Sequence, residues 1–245
     1  MTRWKIPFWV VFLVFLMIFS AIAGIFSCVA QRNGESKRAD VPPEDPVPLT
    51  VIIDAGHGGE DGGAVSASGL LEKDLNLDIA LRLCRRLEEE GARVILTRDS
   101  DTLLYDRNVD YRGRKKALDL AARRRIAEEN PSAIFVSIHM NAYPQTQYRG
   151  LQVWYSPNDP RSRALAERIQ NTVSAQLQPE NDRRIKSATS AIYLLHHITS
   201  PAVLVECGFL SNPEEAAALA TEEYRERLAF LIGRSILEYA SDGTG

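Results

Sequence analysis

Cysteine is nearly missing from this chain: there are three, Cys28, Cys84 and Cys207, and no two of them form a CxxC pair. An odd, scattered set indicates neither a disulfide framework nor a Cys-based metal site. Cys84 and Cys207 fall inside apolar patterns and read as small core residues. Histidine is almost as scarce, at four residues, so imidazole chemistry must come from His57, His139, His196 or His197. An excess of one charge is lacking too: 29 Lys and Arg stand against 32 Asp and Glu in 245 residues. That balance offers no general attraction to nucleic acid, and no nucleic-acid partner is expected. No internal repeat and no second globular module are visible, so the length suits one sizeable domain with an appendage.

The appendage is the one long apolar run. Arg3 and Lys5 precede a stretch from Ile6 to Ala30 with no charged residue, enough to cross a bilayer core at roughly 20 residues per helix. The positive flank stays in the cytoplasm and the remainder is delivered outside. Residues 1–30 are therefore expected to be a transmembrane anchor or uncleaved signal. A cleaved secretory signal is the rival reading, since Cys28-Val29-Ala30 loosely fits a small-residue cleavage site, but the run exceeds the usual signal core of about 7–15 residues. Bulky Phe26 argues against lipid attachment at Cys28. Residues 31–48 hold Pro42, Pro43, Pro46 and Pro48 among charges, the composition of an extended linker. Without the first 47 residues, 24 basic and 28 acidic side chains remain.

Residues 49–245 alternate β-branched runs with helical periodicity, the pattern of an α/β domain. Strands are predicted at Thr50 to Asp54, Ala92 to Thr97, Ala133 to Ile138, Gly150 to Tyr155 and Ala202 to Glu206. Leu75, Ile79, Leu83 and Leu87 mark a helix from about Asp74 to Glu90, with Gly91 as its stop. A second helix spans Leu118 to Glu129, and a third begins at Asp159-Pro160. Ser211-Asn212-Pro213-Glu214-Glu215 starts another, followed by a last helix through Tyr224 to Tyr239. The expected architecture is a single domain with a mostly parallel twisted sheet of about six strands and helices on both faces.

Three apolar runs break off at chemically capable residues: His57 after Val51 to Asp54, His139 after Ile134 to Ile138, and Glu206 after Ala202 to Val205. Carboxyl ends of strands border the ligand crevice of such a sheet, so these side chains are expected to meet there. Glu72, at the entrance of the first helix, completes a set of two imidazoles and a carboxylate. That donor set suits one zinc ion per chain and leaves a coordination position open. Glu206 is then the candidate to take a proton from water and return it to a leaving nitrogen. Each residue also has a plain reading: His57 as a loop residue, Glu72 and Glu206 as carboxylates beside helix N-termini. His196 and His197 are adjacent and cannot easily serve one tetrahedral ion, so they read as surface or loop residues. Arg123, Arg124 and Arg125 read as the solvated face of a helix, although one is able to reach a substrate carboxylate. Lys186 reads the same way. Asn141 is placed to orient a ligand.

Five segments in order resemble the zinc-dependent N-acetylmuramoyl-L-alanine amidases of bacterial cell walls. They are Ile53-Asp54-Ala55-Gly56-His57-Gly58-Gly59, Glu72 with Leu75-Asn76, Leu96-Thr97-Arg98, Ser137-Ile138-His139-Met140-Asn141-Ala142, and Pro201 through Asn212. The resemblance covers Leu49 to Tyr239. It implies zinc binding at His57, Glu72 and His139, catalysis by Glu206, peptidoglycan as substrate, and hydrolysis of the amide between N-acetylmuramic acid and L-alanine. Glu128 in place of Asn, and Arg183-Arg184-Ile185-Lys186 in place of Arg-Gly-x-Lys, are departures from the pattern at the substrate rim. Leu103 to Ala117 is longer and more charged than in many members. The stretch after His139 is too short for the autoinhibitory helix of some division amidases. Within the family the organisation is most similar to the spore-cortex type. That likeness implies stem-peptide removal ahead of muramic δ-lactam formation by a separate deacetylase, a lipoprotein activator, a role in germination and a place at the forespore envelope. Two other readings share the residues: a catalytically silent peptidoglycan-binding or regulatory module, and a zinc peptidase acting within stem peptides.

Overall fold

The computed structural model describes residues 48–106, 108 and 111–243, with positions 7, 9, 10 and 17 standing alone before them. Nearly all of the anchor expected at 1–30 and of the linker at 31–48 lies outside these residues. Among the described residues no helix is long and apolar enough to cross a membrane. Residues 48–245 form one compact unit and 1–47 another.

Six strands make one sheet: β1 (Thr50–Ala55), β2 (Arg93–Leu96), β3 (Ile134–Asn141), β4 (Gln152–Tyr155), β5 (Lys186–Ser187) and β6 (Ala202–Phe209), in the order β2-β1-β3-β6-β4-β5. The four strands from β2 to β6 run parallel. β4 is antiparallel to β6, and β5 is parallel to β4. The sheet is thus mixed but mostly parallel, in an α/β domain.

Side chains alternate across a strand, and the two faces bury different helices. Val51, Ile53, Val136, Ile138, Val203 and Val205 share a core with Leu75, Ile79 and Leu83 of α1 (Glu72–Glu89). Leu165 and Ile169 of α3 (Arg161–Gln176) and Leu228 and Ile232 of α6 (Glu222–Ser241) join that core. Ile52, Phe135, Ala202 and Leu204 face the other way. They meet Ala127 of α2 (Lys115–Glu128) and Leu194 and Leu195 of α4 (Tyr193–His197). Burial on both faces explains why these strands read as continuous apolar runs.

Local signals set the boundaries. Gly91 adopts φ 83 and ends α1, a left-handed conformation that glycine enters without a Cβ penalty. Asn212 Oδ1 accepts from the backbone N–H groups of Glu214 and Glu215, with Pro213 opening α5 (Pro213–Ala220). Several boundaries differ from expectation. α1 begins at Glu72, two residues early, so Glu72 is its first residue. Pro160 is the cap of α3, and Asp159 accepts from Arg161 N–H at 2.8 Å. β3 and β6 run past His139 and Glu206, because pairing continues to Asn141 and Phe209 across a register shift. The short β5 and α4 were not expected; two and five residues carry no readable periodicity.

Candidate active site

Toward the carboxyl ends of β1, β3 and β6, the face that buries Ile52, Phe135 and Leu204 turns polar. Asp54 follows Ile52, Ser137 and His139 follow Phe135, and Glu206 follows Leu204 on the same face. The register aligns Asp54 with Ser137 and His139 with Glu206, while Glu206 aligns with Gln152 of β4. Neighbouring strands lie about 4.8 Å apart, so His139 and Glu206 stand side by side.

His57 sits in the turn after β1, at φ 61, a left-handed conformation that costs a non-glycine residue about 1–3 kcal/mol. The turn is held against that cost by three consecutive carbonyls. Arg98 donates to Ala55 O (2.8 Å) and Gly56 O (3.0 Å). Arg123 donates to Ala55 O and to His57 O, each at 2.7 Å. Asn76 of α1 adds a bond to Gly56 O at 3.1 Å. The imidazole is thereby fixed toward Glu72, with His57 Nε2 at 3.2 Å from Glu72 Oε1. Asp61 Oδ1 lies 3.0 Å from His57 Nδ1 on the other side.

Glu72 Oε1 is also 2.9 Å from His139 Nδ1 and accepts from Met140 N–H at 3.0 Å, while Oε2 accepts from Ala64 N–H at 2.8 Å. One ligand atom from each of His57, Glu72 and His139 falls within 4.8 Å of the others. Space around them is made by missing side chains. A methyl group at Gly56 would stand 2.2 Å from His139 Nε2, and one at Gly63 would stand 2.5 Å from Glu72 Oε2. Burial opposes ionisation of Glu72, but hydrogen bonds and charge from His139 and His57 outweigh it and hold the carboxyl well below its usual range. Burial also opposes charge on His57, yet Glu72 and Asp61 together raise its pKa. Such mutual charge complementarity belongs to a site able to exchange protons for a metal ion.

Glu206 differs from Glu72 in every respect that matters. Its Oε2 is buried and has no hydrogen-bond partner. Burial pushes its pKa up to about 7; His139 opposes the rise, Glu72 adds to it, and His57 and Arg183 oppose it. A cavity of about 250 Å³ is bordered by His57, His139 and Glu206 together with Lys116, Ile192 and Tyr193. A larger groove, about 700 Å³, lies on α6 around Tyr224 and Phe230 and contains none of the four residues.

The remaining candidates sort differently from expectation. Arg123 is not on a solvated face: it is 1% exposed and forms ion pairs with Asp54 (2.6 Å) and Asp119 (2.7 Å). Arg124 and Arg125 do lie outward, Arg124 pairing with Glu128 along the helix surface. Asp54 spends its second oxygen on Ser137 Oγ at 2.5 Å. The signal for this pair was present in Asp54 itself, since a carboxylate ending a buried strand needs a cation, and Asp119 stands one helical turn before Arg123. Asp61 was likewise missed, although it lies four residues after His57 in the same glycine-rich turn. His196 and His197 are not part of the group formed by His57, Glu72 and His139, and His197 Nδ1 lies 2.8 Å from Tyr193 O. Lys186 Nζ lies 5.2 Å above the Trp154 ring. Asn141 closes β3 and its carbonyl accepts from Leu210 N–H, while the bonds that orient Glu72 come from Ala64, Met140 and Asn76.

Residues 51–238 match the Amidase_3 family, described as N-acetylmuramoyl-L-alanine amidase. The chain is 36% identical to the germination-specific N-acetylmuramoyl-L-alanine amidase of Bacillus subtilis over 230 residues, which cover 94% of each chain. Among solved structures it is similar to the CwlD amidase from Clostridioides difficile in complex with the GerS lipoprotein, at 40% identity and TM-score 0.74. That match covers 79% of this chain and 98% of the other. An N-acetylmuramoyl-L-alanine amidase from Clostridium difficile 630 matches at 32% identity and TM-score 0.69, over 79% and 97% of the two chains. With this match over nearly all of its folded domain, and with a metal-capable His-Glu-His group at the sheet's carboxyl edge, the chain belongs to the N-acetylmuramoyl-L-alanine amidase family.

Proposed function

We propose that His57, Glu72 and His139 hold one zinc ion and that Glu206 moves the proton in hydrolysis of the amide between N-acetylmuramic acid and L-alanine. The observation that carries this division is the contrast between the two glutamates. Glu72 is saturated with donors and charge, whereas Glu206 keeps a buried, unpartnered oxygen beside His139. The donor set fits zinc, which accepts imidazole and carboxylate and keeps a position open in catalytic sites. When bound, the ion supplies Lewis acidity, lowering the pKa of water toward about 7 and polarising a carbonyl.

The chain's own groups do the rest. Glu206, whose carboxyl burial raises above the ordinary carboxylate range, stands beside His139 with an unpartnered oxygen free to accept a proton and release it. It takes a proton from the attacking water and returns it to the amide nitrogen as the bond to L-alanine breaks. Arg98 and Arg123 keep the His57 turn rigid by holding its carbonyls, so that the imidazole needs no rearrangement to bind.

The substrate is peptidoglycan, which places the domain outside the cytoplasm, held there by residues 1–30 as a membrane anchor. Likeness to a germination-specific amidase supports a role in spore cortex maturation at the forespore envelope. A separate deacetylase then acts on the peptide-free muramic acid toward the δ-lactam, and a lipoprotein activator is a partner. Mass spectrometry of digested muropeptides tests the reaction. Release of intact stem peptide with a free L-alanine amine is expected. Cleavage between amino acids would identify a peptidase instead, and binding without cleavage a silent module.

A further inference from the structure

β3 and β6, the strands that carry His139 and Glu206, continue past them into an aromatic strip. Phe209 ends β6 and aligns with Asn141, two residues beyond His139 on the neighbouring strand and so roughly 7 Å along it, across the register shift. The Tyr148 ring centroid lies 6.4 Å from that of Phe209, and the Tyr143 ring meets Tyr148 edge-on at 5.0 Å. Arg183 lies 4.7 Å over the Phe209 ring and donates to Gln152 Oε1 at 3.1 Å, Gln152 being the register partner of Glu206.

The tyrosines are presented rather than buried: Tyr143 is 50% exposed and Tyr148 42%. Their loop is nonetheless pinned. Tyr143 N–H donates to Ser211 Oγ (3.0 Å), Asn212 Nδ2 donates to Thr146 O (2.9 Å), and Gly150 N–H donates to Glu215 (2.9 Å). Rings held this way offer large amphipathic contact area at little entropic cost. Nothing in the hydrolytic step uses them.

We infer that Tyr143 and Tyr148, with Arg183 at the inner end, form a saccharide subsite that binds the glycan strand of peptidoglycan beyond the muramic acid being cleaved. The inference rests on the amidase reading of Glu206 and adds the direction in which the glycan leaves the site. Sugars present apolar C–H faces rimmed by hydroxyls, which match tyrosine rings carrying phenol groups and a guanidinium. Continuity with the strand bearing Glu206 favours the substrate over a protein partner.

The test uses the full zinc-loaded chain and peptide-free glycan strands of alternating N-acetylglucosamine and N-acetylmuramic acid, with binding followed by calorimetry. The wild type is expected to bind. Tyr143→Ala/Tyr148→Ala is expected to bind roughly tenfold more weakly, a factor of ten being 1.4 kcal/mol, and the double Phe variant is expected to restore binding. Tyr143→Ala alone, at the more exposed position, provides a second variant if the double variant folds poorly. In turnover, KM for long glycan should rise by a similar factor with kcat unchanged, while a single muramoyl-peptide is processed as before. No glycan binding by the wild type, equal binding by the Ala variants, or equal losses on long and short substrates would overturn the subsite. Glycan binding that depends on the tyrosines in a protein that cleaves nothing would sustain the subsite and refute the amidase reading.

Discussion

Gly56 has no side chain because His139 occupies the space where one would stand. A Cβ there would meet His139 Nε2 at 2.2 Å, so Gly56→Ala must displace the imidazole from its place beside Glu72. Metal affinity is expected to fall about 10–100-fold, the usual scale for disturbing the groups that orient a ligand, as read by competition with a chelator. Unchanged affinity would remove the steric account of this glycine. The His57 pKa is raised, and the imidazole must be neutral to bind metal. Zinc affinity is therefore expected to weaken as pH falls through that raised value, beginning above the ordinary 6.5; titration of affinity against pH checks it. At this scale His57, His139 and Glu206 were legible as candidates because each ends or follows an apolar run, and Glu72 because it stands at the entrance of the first helix. The sequence concealed Arg123, whose neighbours Arg124 and Arg125 give the same charge at adjacent positions but point outward. Three consecutive arginines on a helix cannot share a face, and only packing decides which one turns inward.

Between elements, the Asp54–Arg123 pair ties β1 to α2 beneath the metal site. Both side chains are buried, so Arg123→Met leaves a carboxylate without its cation, an expected loss of about 3–5 kcal/mol in urea unfolding. Burial would raise the Asp54 pKa, but Arg123 and Ser137 outweigh it and lower it in the folded protein. Its stabilising contribution is then present above the unfolded carboxyl value of 3.8 and is lost as pH falls through the lower folded value. Acid unfolding of the wild type should steepen in that range, and Arg123→Met should lose that dependence. A variant as stable as wild type, with the same acid limb, would contradict the role given to the pair. The order of strands and major helices was legible from periodicity and caps such as Asn212-Pro213. The antiparallel β4 and the short β5 and α4 were not, because the direction and pairing of short segments are set by neighbours far away in sequence.

At the scale of the whole molecule, residues 1–47 and 48–245 separate into two units. Chain starting at Pro48 is expected to keep the midpoint of thermal unfolding and the metal content of the full chain, since among the described residues the core begins at Leu49. A lowered midpoint would show that the leading segment contributes to the fold. The proposed division of labour assigns the metal to His57, Glu72 and His139 and the proton to Glu206. It is tested most directly by measuring zinc content and stem-peptide release on the same preparations of wild type, His57→Ala and Glu206→Gln. The expected result is that Glu206→Gln retains one zinc per chain and loses on the order of 10²–10⁴ in kcat, while His57→Ala loses the zinc itself. Normal release of stem peptide by zinc-loaded Glu206→Gln would contradict it.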